Sequence, residues 1–542
     1  LLRREISTGL KSDQLIIKEA FVTEIDLLKK SRDSGIFERT FKLSQAAKHI
    51  EASEALNNYA LRNKLDDSDL SILLRNRQNY AESLVRIDDE FVKSIGKSDN
   101  VAALAQNTYY NEKETYKSKI KEIDKELAEK FPKYEFLIGH KFSKSKNIKN
   151  ALKNNEALVS YLIGEESVFV WTLTNNSENL TKLKISSQAL RDDIKSLRKT
   201  LNPIYYNNNP INSFPVKLTN TLYLNIFEPI EKYLTNKHKI FIIPDAELIG
   251  LPFHVLNRTA IQSETLPLKS YKNLDWLVKY YSFVTLPSVS LLEALKTTDN
   301  KNVSNFLGVG NPEFQAQPNT EVVNINTDIL LRNGKVNIDK IRELPSLPDT
   351  ENEIRSLSKL FEGKVDILVQ KDANEINLKK INLKKYDIIA FATHGLMAGD
   401  FSGQVLEPAL VLTPPSEILD ENNGLLSSSE ITQLNLDSKL VILSACNTAA
   451  GDGSPGAQGL SGLARAFFFA GTESLLVSHW PTVSEAATKL TTNMMKRYME
   501  KRIALSEALR KSMLDLFNDE SDPRNVHPAV WAPFVLVGAG EI

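Results

Sequence analysis

Hydrophobic and polar positions follow two different patterns along the chain, and the change falls near residue 140. From Ile6 to Ile138 the apolar positions recur at three- and four-residue steps, for example at Tyr80, Leu84 and Ile87. This is the spacing of one buried face of an α-helix. Breaks that contain glycine, serine or asparagine separate the helical stretches. We therefore expect residues 1–140 to form an α-helical region.

After a linker rich in lysine, serine and asparagine, short apolar runs alternate with amphipathic segments. The runs, each predicted to be a β-strand, are ALVSYLI, SVFVWTLT, KIFIIP, NFLGVG, VDILVQ, YDIIAFATHG, LVILSAC and SLLVSHW. The predicted helices span 187–200, 218–234, 350–361, 373–380 and 483–518, with one more over LSGLARAFFFAG. Continuous apolar strands separated by helices are typical of a mostly parallel sheet covered on both faces. The predicted fold class is therefore α/β, preceded by the helical region.

Composition and charge argue against several classes of function. The net charge is −1, so no basic footprint for nucleic acid stands out, and we expect no direct nucleic-acid binding. No apolar run is long enough to span a membrane. A single cysteine excludes a disulfide framework and a thiolate zinc cluster, and the seven histidines do not fall at metal-ligand spacing. We expect no metal, no cofactor and no membrane partner.

The only cysteine and one histidine lie where predicted strands end. His394 ends the run YDIIAFATHG, and Cys446 ends LVILSAC, 52 residues later. Reactive groups in an open parallel sheet gather beyond the carboxyl ends of the strands, so neighbouring strands would bring these two side chains into one crevice. Each residue alone is more often structural. Their pairing, at a spacing close to that of caspases, predicts a cysteine peptidase dyad.

The chemistry of such a pair is specific. An imidazole lowers the pKa of a nearby thiol and can protonate the leaving amine, while the thiolate attacks the substrate. Gly395 follows the histidine directly. Its backbone N–H, together with that of Cys446, is a candidate donor to the oxyanion of a tetrahedral intermediate.

Several segments together resemble a known family. FATHG, LSACNTAAGDG, GLARAFFFAGTESLLVSHWP and HPAVWAPFVLVG stand in the chain after IIPDAELIGLPFHVL, TLPSVSLLEAL and LPSLPDTENEI. In this order they resemble the CHAT domain, a caspase-like, separase-related cysteine peptidase domain of bacteria that often follows tetratricopeptide repeats. The resemblance covers about Ser145 to Ile542. It implies that His394 and Cys446 are the dyad and that Gly395 contributes to the oxyanion hole.

The resemblance also implies a domain organisation and a setting. Residues 145–300 would form an inactive caspase-like half, which contains KIFIIP and Asp245, and residues 301–542 the catalytic half. A bacterial protein of a signalling or defence pathway is implied as well. The helical region lacks the consensus positions of the 34-residue tetratricopeptide repeat. It is either the degenerate end of a repeat array or an unrelated helical cap.

Further residues are predicted to contact a substrate. A strand edge near SHWPT would let an extended peptide pair beside Ser478, His479 and Trp480. Trp480 is equally well interpreted as a core aromatic residue, and His479 has no orienting carboxylate beside it in the sequence. The acidic candidates for a pocket that holds a basic side chain are Asp349, Asp400, Asp452 and Glu485.

Two of these predictions have a simple structural alternative. Asp349 equally fits the N-terminal turn of a helix, where a negative charge is favourable. The stretch Met397 to Ser429 is either a gating loop beside the site or a plain connector.

Two functions follow from these observations. The first is a cysteine endopeptidase that cleaves a partner protein through an acyl-enzyme and is regulated by the helical region or by an activating protein bound there. The second is a catalytically silent scaffold that binds an extended peptide. The intact cysteine and histidine favour the first. The substrate, the activating signal and the oligomeric state stay open. The chain begins at Leu1, so the compartment also stays open, with the cytoplasm slightly favoured over export.

Overall fold

A computed structural model of the chain describes most of its residues. The described residues are 11–30, 35–48, 73, 76–77, 79–80, 83–84, 86–87, 99–207, 209–295, 303–315, 331–332, 335–336, 338–396, 399–401, 404–406, 408–416, 422–445, 462–482 and 484–538, except 131–141. Everything below refers to these residues.

The N-terminal part is helical, as predicted. It contains α1 (Lys11–Lys29), α2 (Ile36–Ala47) and α3 (Asp99–Lys130), and the described positions between 73 and 87 are helical too. The first two helices bury Phe21, Ile25 and Phe41 in the same hydrophobic core as the β-sheet that follows. The helices α1 and α2 therefore pack directly on the α/β domain.

Eighteen strands are found in the described residues. In chain order they are β1 (Glu156–Ile163), β2 (Val168–Thr174), β3 (Glu178–Lys182), β4 (Lys239–Ile243), β5 (Ser282–Thr285), β6 (Phe306–Pro312), β7 (Leu331–Arg332), β8 (Lys335–Val336), β9 (Val365–Gln370), β10 (Ile388–Ala392), β11 (Gly395–Leu396), β12 (Gly399–Phe401), β13 (Gln404–Leu406), β14 (Ala409–Val411), β15 (Leu425–Ser427), β16 (Leu440–Leu443), β17 (Ser474–Ser478) and β18 (Phe534–Gly538).

Eleven of these strands form one sheet, in the order β3-β2-β1-β4-β5-β18-β17-β16-β10-β6-β9. Neighbouring strands are parallel except at β3-β2-β1 and between β18 and β17. The interior strands are buried along almost their whole length, whereas the edge strands β3 and β9 are partly exposed. Burial on both faces explains why the interior strands read as continuous apolar runs.

Helices cover the sheet. Those after the N-terminal three are α4 (Ser145–Ala151), α5 (Ser187–Leu201), α6 (Val216–Leu222), α7 (Glu228–Glu231), α8 (Val289–Leu295), α9 (Ile338–Arg342), α10 (Pro348–Ser358), α11 (Glu375–Lys380), α12 (Ser428–Gln433), α13 (Gly462–Ala470), α14 (Ser484–Lys501), α15 (Leu505–Asn518) and α16 (Pro528–Trp531). The predicted fold class, a mostly parallel α/β sheet behind a helical region, is confirmed. No helix among the described residues is both long enough and apolar enough to cross a membrane.

A second, small sheet follows His394 directly. Its strands are β11, β14 and β15, all antiparallel, and β12 pairs with β13 in a separate hairpin. A compact apolar cluster packs beneath it, made of Phe314, Ile341, Leu344, Leu396, Ala409, Val411 and Leu425. The described part of the predicted gating loop or connector, 397–429, therefore contains regular structure.

Candidate active site

The backbone of His394 is fixed between the large sheet and the small one. His394 lies two residues beyond the end of β10, and its carbonyl oxygen accepts a hydrogen bond from the Val411 amide at 2.9 Å. The hydroxyl of Thr393 donates to the carbonyl oxygen of Val411 at 2.5 Å. These bonds hold the residue at the carboxyl end of the strand, where ligands of parallel sheets bind.

The imidazole of His394 is oriented by a backbone carbonyl. Its Nε2 lies 2.8 Å from the carbonyl oxygen of Pro345, which can only accept, so Nε2 carries the proton and Nδ1 carries the lone pair. The side chain is 8% exposed, and the ring packs 5.5 Å from that of Phe314. Burial lowers the pKa of His394, and the bond to Pro345 acts in the opposite direction. Burial therefore favours the neutral form of the ring, in which Nδ1 holds the lone pair.

The strand that leads toward Cys446 lies directly beside the histidine strand. β10 and β16 are parallel neighbours, with Ile388 opposite Leu440 and Phe391 opposite Leu443. The Ser444 amide continues the contact, donating to the Phe391 carbonyl oxygen at 2.9 Å. Ala445 is the last described residue of this segment, so the predicted nucleophile Cys446 lies outside the described residues.

Gly395 has a backbone orientation that suits a donor. It stands opposite Leu410 in the antiparallel pair of β11 and β14, and the next pair, His394 and Val411, is hydrogen-bonded. Opposed residues in an antiparallel ladder alternate between bonded and non-bonded pairs. The N–H of Gly395 therefore points away from β14, so the ladder does not use it.

The three predicted substrate-binding residues at the end of β17 are buried. Ser478, His479 and Trp480 are each at most 2% exposed. The Ser478 hydroxyl donates to the carbonyl oxygen of Ala445, and the Trp480 indole N–H donates to that of Ala529 at 2.9 Å. Ser478 thus supports the end of the strand that precedes Cys446. Contact of these residues with a substrate stays a prediction.

His479 is enclosed by cationic and aromatic groups. Its ring stacks on Trp480 at 6.0 Å, and its carbonyl oxygen accepts from the Arg198 guanidinium at 3.3 Å. Burial, with Arg198 and His254 nearby, holds the pKa of His479 well below its ordinary value. The residue is therefore neutral at physiological pH.

The acidic candidates lie in different places. Asp349 is exposed in the first turn of α10, and Asp400 lies on β12. Glu485, in the first turn of α14, forms an ion pair with Lys489 at 3.0 Å. Asp452 lies outside the described residues. Their role in a specificity pocket stays a prediction.

Sequence reasoning missed two groups that contact this region. The carbonyl oxygen of Pro345 left no sequence signal, because every residue has a carbonyl group. Glu353 is different: it falls on the buried face of α10 with Thr350, Ile354 and Leu357. A charged residue on the apolar stripe of an amphipathic helix is a signal that could have been used.

Glu353 is a buried carboxylate bound by two hydroxyl groups. It is 2% exposed, and it accepts hydrogen bonds from Ser444 at 3.0 Å and from Thr491 at 2.9 Å. Burial raises the pKa of Glu353 to about 7, while the two hydrogen bonds act in the opposite direction. Among the described residues, no group of three His, Cys, Asp or Glu side chains is arranged to hold a metal ion.

These features define an α/β protein with an oriented imidazole at the carboxyl end of a central strand. The profile of the CHAT domain matches residues 216–539, which is more than half of the chain. The chain therefore belongs to the CHAT-domain family.

The chain also resembles individual proteins. It is 34% identical to the mouse tetratricopeptide repeat protein 28 over 115 residues, which are 21% of this chain and 4% of that protein. Among solved structures it is similar to the separase of the Saccharomyces cerevisiae separase–securin complex, with a TM-score of 0.44, 11% identity, and coverage of 97% of this chain and 40% of that one. The Arg-specific cysteine proteinase gingipain R gives a TM-score of 0.35 and 10% identity over 65% of this chain and 74% of that one. The chain thus spans a small part of the curated relatives it matches.

Proposed function

We propose that the protein is a cysteine endopeptidase in which Cys446 and His394 form the catalytic dyad. The strand register carries this proposal. The ladder of β10 and β16 pairs each residue with the one 52 positions later, and Cys446 follows His394 by the same interval. If this register continued for three more residues, Cys446 would stand opposite His394 on a neighbouring strand, at the usual strand spacing of about 4.8 Å.

The contacts of His394 suit the role of a base. Because Nε2 is bound to Pro345, the free lone pair belongs to Nδ1, which we assign as the atom that faces the thiol. Nδ1 takes the proton from Sγ, and the resulting thiolate attacks the scissile carbonyl carbon. The N–H of Gly395 and that of Cys446 stabilise the resulting oxyanion.

Collapse of the intermediate completes the first half of the reaction. The carbon–nitrogen bond breaks as Nδ1 returns its proton to the departing amine, which leaves a thioester on Cys446. Water, deprotonated by the same nitrogen, then attacks the thioester, and the released thiolate recovers a proton from the imidazolium. No cofactor is needed to balance these steps.

Intact-mass labelling with peptidyl acyloxymethyl ketones tests the proposal. The reagents carry Arg, Lys, Leu, Met or Asp at the first position, and the targets are the wild type, Cys446→Ala and His394→Ala. We expect an adduct on the wild type, none on Cys446→Ala, and labelling slowed about 100-fold or more in His394→Ala, since general-base catalysis contributes about that much. The best first residue describes the specificity pocket. Replacement of the exposed His238 is the matched control.

One result would favour the silent scaffold instead. If no ketone labels the wild type while iodoacetamide alkylates Cys446, the thiol is reachable but no peptide groove presents a substrate to it. Labelling of the wild type that persists in Cys446→Ala would contradict the dyad outright.

The division of the chain is part of the same proposal. We assign residues 1–140 as a helical region, 145–300 as an inactive half and 301–542 as the catalytic half. Support comes from the sheet: β5 and β18 meet at a single recorded pair, Thr285 with Val537, between two more extensively paired groups of strands. The helical region is then the surface on which an activating protein would act.

A further inference from the structure

One buried side chain links the strand that precedes Cys446 to two helices. Glu353 projects from α10 and accepts a hydrogen bond from Ser444, which is two residues before Cys446. Its other carboxylate oxygen accepts from Thr491 on α14. The carboxylate therefore fixes the end of β16 against both helices.

The same helix also governs the position of His394. Pro345, whose carbonyl oxygen binds the imidazole, lies three residues before the start of α10. The first turn of the helix is anchored by Thr350, whose hydroxyl donates to the carbonyl oxygen of Leu347 at 2.7 Å and accepts from the Asn311 amide at 2.8 Å. One short, anchored segment therefore contacts both strand ends that carry the proposed dyad.

Burying the carboxylate of Glu353 at this position costs free energy of desolvation. Its partners among the described residues are hydroxyl groups, not a cation, so the charge is removed from water without an ion pair. An apolar side chain of similar volume would pack here without that cost. Stability alone therefore does not explain a glutamate at position 353.

We propose that Glu353 is a positioning residue of the dyad, whose carboxylate holds Ser444 and with it the strand end that presents Cys446 to His394. This inference rests on the proposed function. The ionised form accepts from both hydroxyl groups, whereas the protonated form must donate through one of its oxygens. The described groups that act on its titration are Ser444 of the β16 end and Thr491 of α14, and no charged group contributes.

The single cysteine makes the test direct, because alkylation by iodoacetamide followed by intact mass reports on Cys446 alone. The pH dependence of the alkylation rate gives the pKa of its thiol. In the wild type we expect that pKa to lie well below the ordinary 8.5, and in His394→Ala to return toward it. In Glu353→Gln we expect an upward shift of about one unit, which slows alkylation about tenfold at pH values below both pKa values.

The direction of the change in the thiol pKa distinguishes a loss of alignment from a loss of negative charge. Loss of a nearby negative charge alone would lower the pKa of the thiol, so an increase identifies loss of alignment. Ser444→Ala keeps the charge and removes the link to the strand, and we expect it to reproduce the increase. Thr491→Val removes the hydroxyl on the other side of the carboxylate and is the matched control, with a clearly smaller effect expected.

Each outcome is decisive. A wild-type thiol that titrates at its ordinary value contradicts the proposed function, and the positioning role with it. A lowered wild-type pKa that is unchanged or lowered further in Glu353→Gln leaves the dyad standing and overturns the positioning role alone. Equal increases in Ser444→Ala and Thr491→Val would also overturn it, because a general loss of packing would then explain the effect.

Discussion

The orientation of His394 depends on a main-chain group. The Pro345 carbonyl oxygen fixes which nitrogen of the neutral ring carries the proton, and burial lowers the pKa of the ring. A carbonyl group has no ionisable state of its own, so this contact does not change with pH. The tautomer of the proposed base is therefore set by the fold.

Glu353 gives a prediction at the residue scale. Its pKa is raised from 4.5 to about 7 in the folded protein, so between these values the folded state holds a proton that the unfolded state releases. The free energy of unfolding should therefore fall as pH rises from 4.5 to 7, by about 3 kcal/mol in all. Glu353→Gln should lack this fall, as measured by urea unfolding at pH 5 and pH 8. Equal pH dependence in the two proteins would contradict the prediction.

Residue roles were predictable from the sequence only where a pattern marks them. His394 could be placed at a strand end because the apolar run before it is continuous. The roles of Ser478 and Trp480 could not be decided, because a buried strand end and a substrate-binding strand end have the same local sequence. In the structure both side chains donate to main-chain carbonyl groups, of Ala445 and Ala529.

At the scale of elements, α1 and α2 attach to the first half of the sheet through buried charges. Asp245, two residues beyond β4, accepts from Lys18 at 2.7 Å and from the Ile163 amide at 2.6 Å. Lys48 is 9% exposed and donates to the Ser160 hydroxyl at 3.0 Å. Burial lowers the pKa of Lys48 to about 7, and Asp245 acts against this shift. His394 likewise lies two residues beyond the end of β10, so Asp245 and His394 hold corresponding places after β4 and β10.

This contact gives a prediction for the helices. Asp245→Asn leaves two lysines near the strand ends without their counter-charge, and breaking a buried ion pair costs about 3 kcal/mol. Amide hydrogen exchange in α1 and α2 should accelerate about 100-fold, with β10 and β16 unchanged. Asp26→Asn is the control, because the Asp26–Lys182 pair is more exposed and is worth less than about 1 kcal/mol. Equal acceleration in both variants, or none in either, would count against the attachment.

Helices and strands were predictable from the sequence where their hydrophobic positions form a clear pattern. Most of the interior strands appear close to their predicted positions, because burial on both faces leaves an unbroken apolar run. The four-residue interior strand β5 was not predicted, and the helix predicted over 483–518 is two helices, α14 and α15. The edge strand β3, ENLTK, was not predicted, since an exposed edge has polar residues at most positions. The strands β14 and β15 lie in the stretch 397–429, for which the sequence predicts a gating loop or a connector, because strands of three residues are too short to show a period.

The whole molecule is organised by one continuous sheet. Its strand order was not predictable, because pairing between distant segments such as β5 and β18 leaves no local pattern. The sequence did predict that His394 and Cys446 follow the ends of two strands. The proposed dyad requires these two strands to be neighbours, and β10 and β16 are neighbours in the sheet. The sheet thus connects the helical attachment site near Asp245 to the candidate active site in one continuous layer.

The structure of the chain inactivated by its best acyloxymethyl ketone tests the central claim most directly. The account predicts a bond from Cys446 Sγ to the reagent, with the reagent's carbonyl oxygen about 3 Å from the Gly395 nitrogen and Nε2 of His394 still bound to Pro345. Nδ1 should face the sulfur within hydrogen-bond reach. An adduct on Cys446 with the imidazole turned away from the sulfur, or with the carbonyl oxygen directed away from Gly395, would contradict the account.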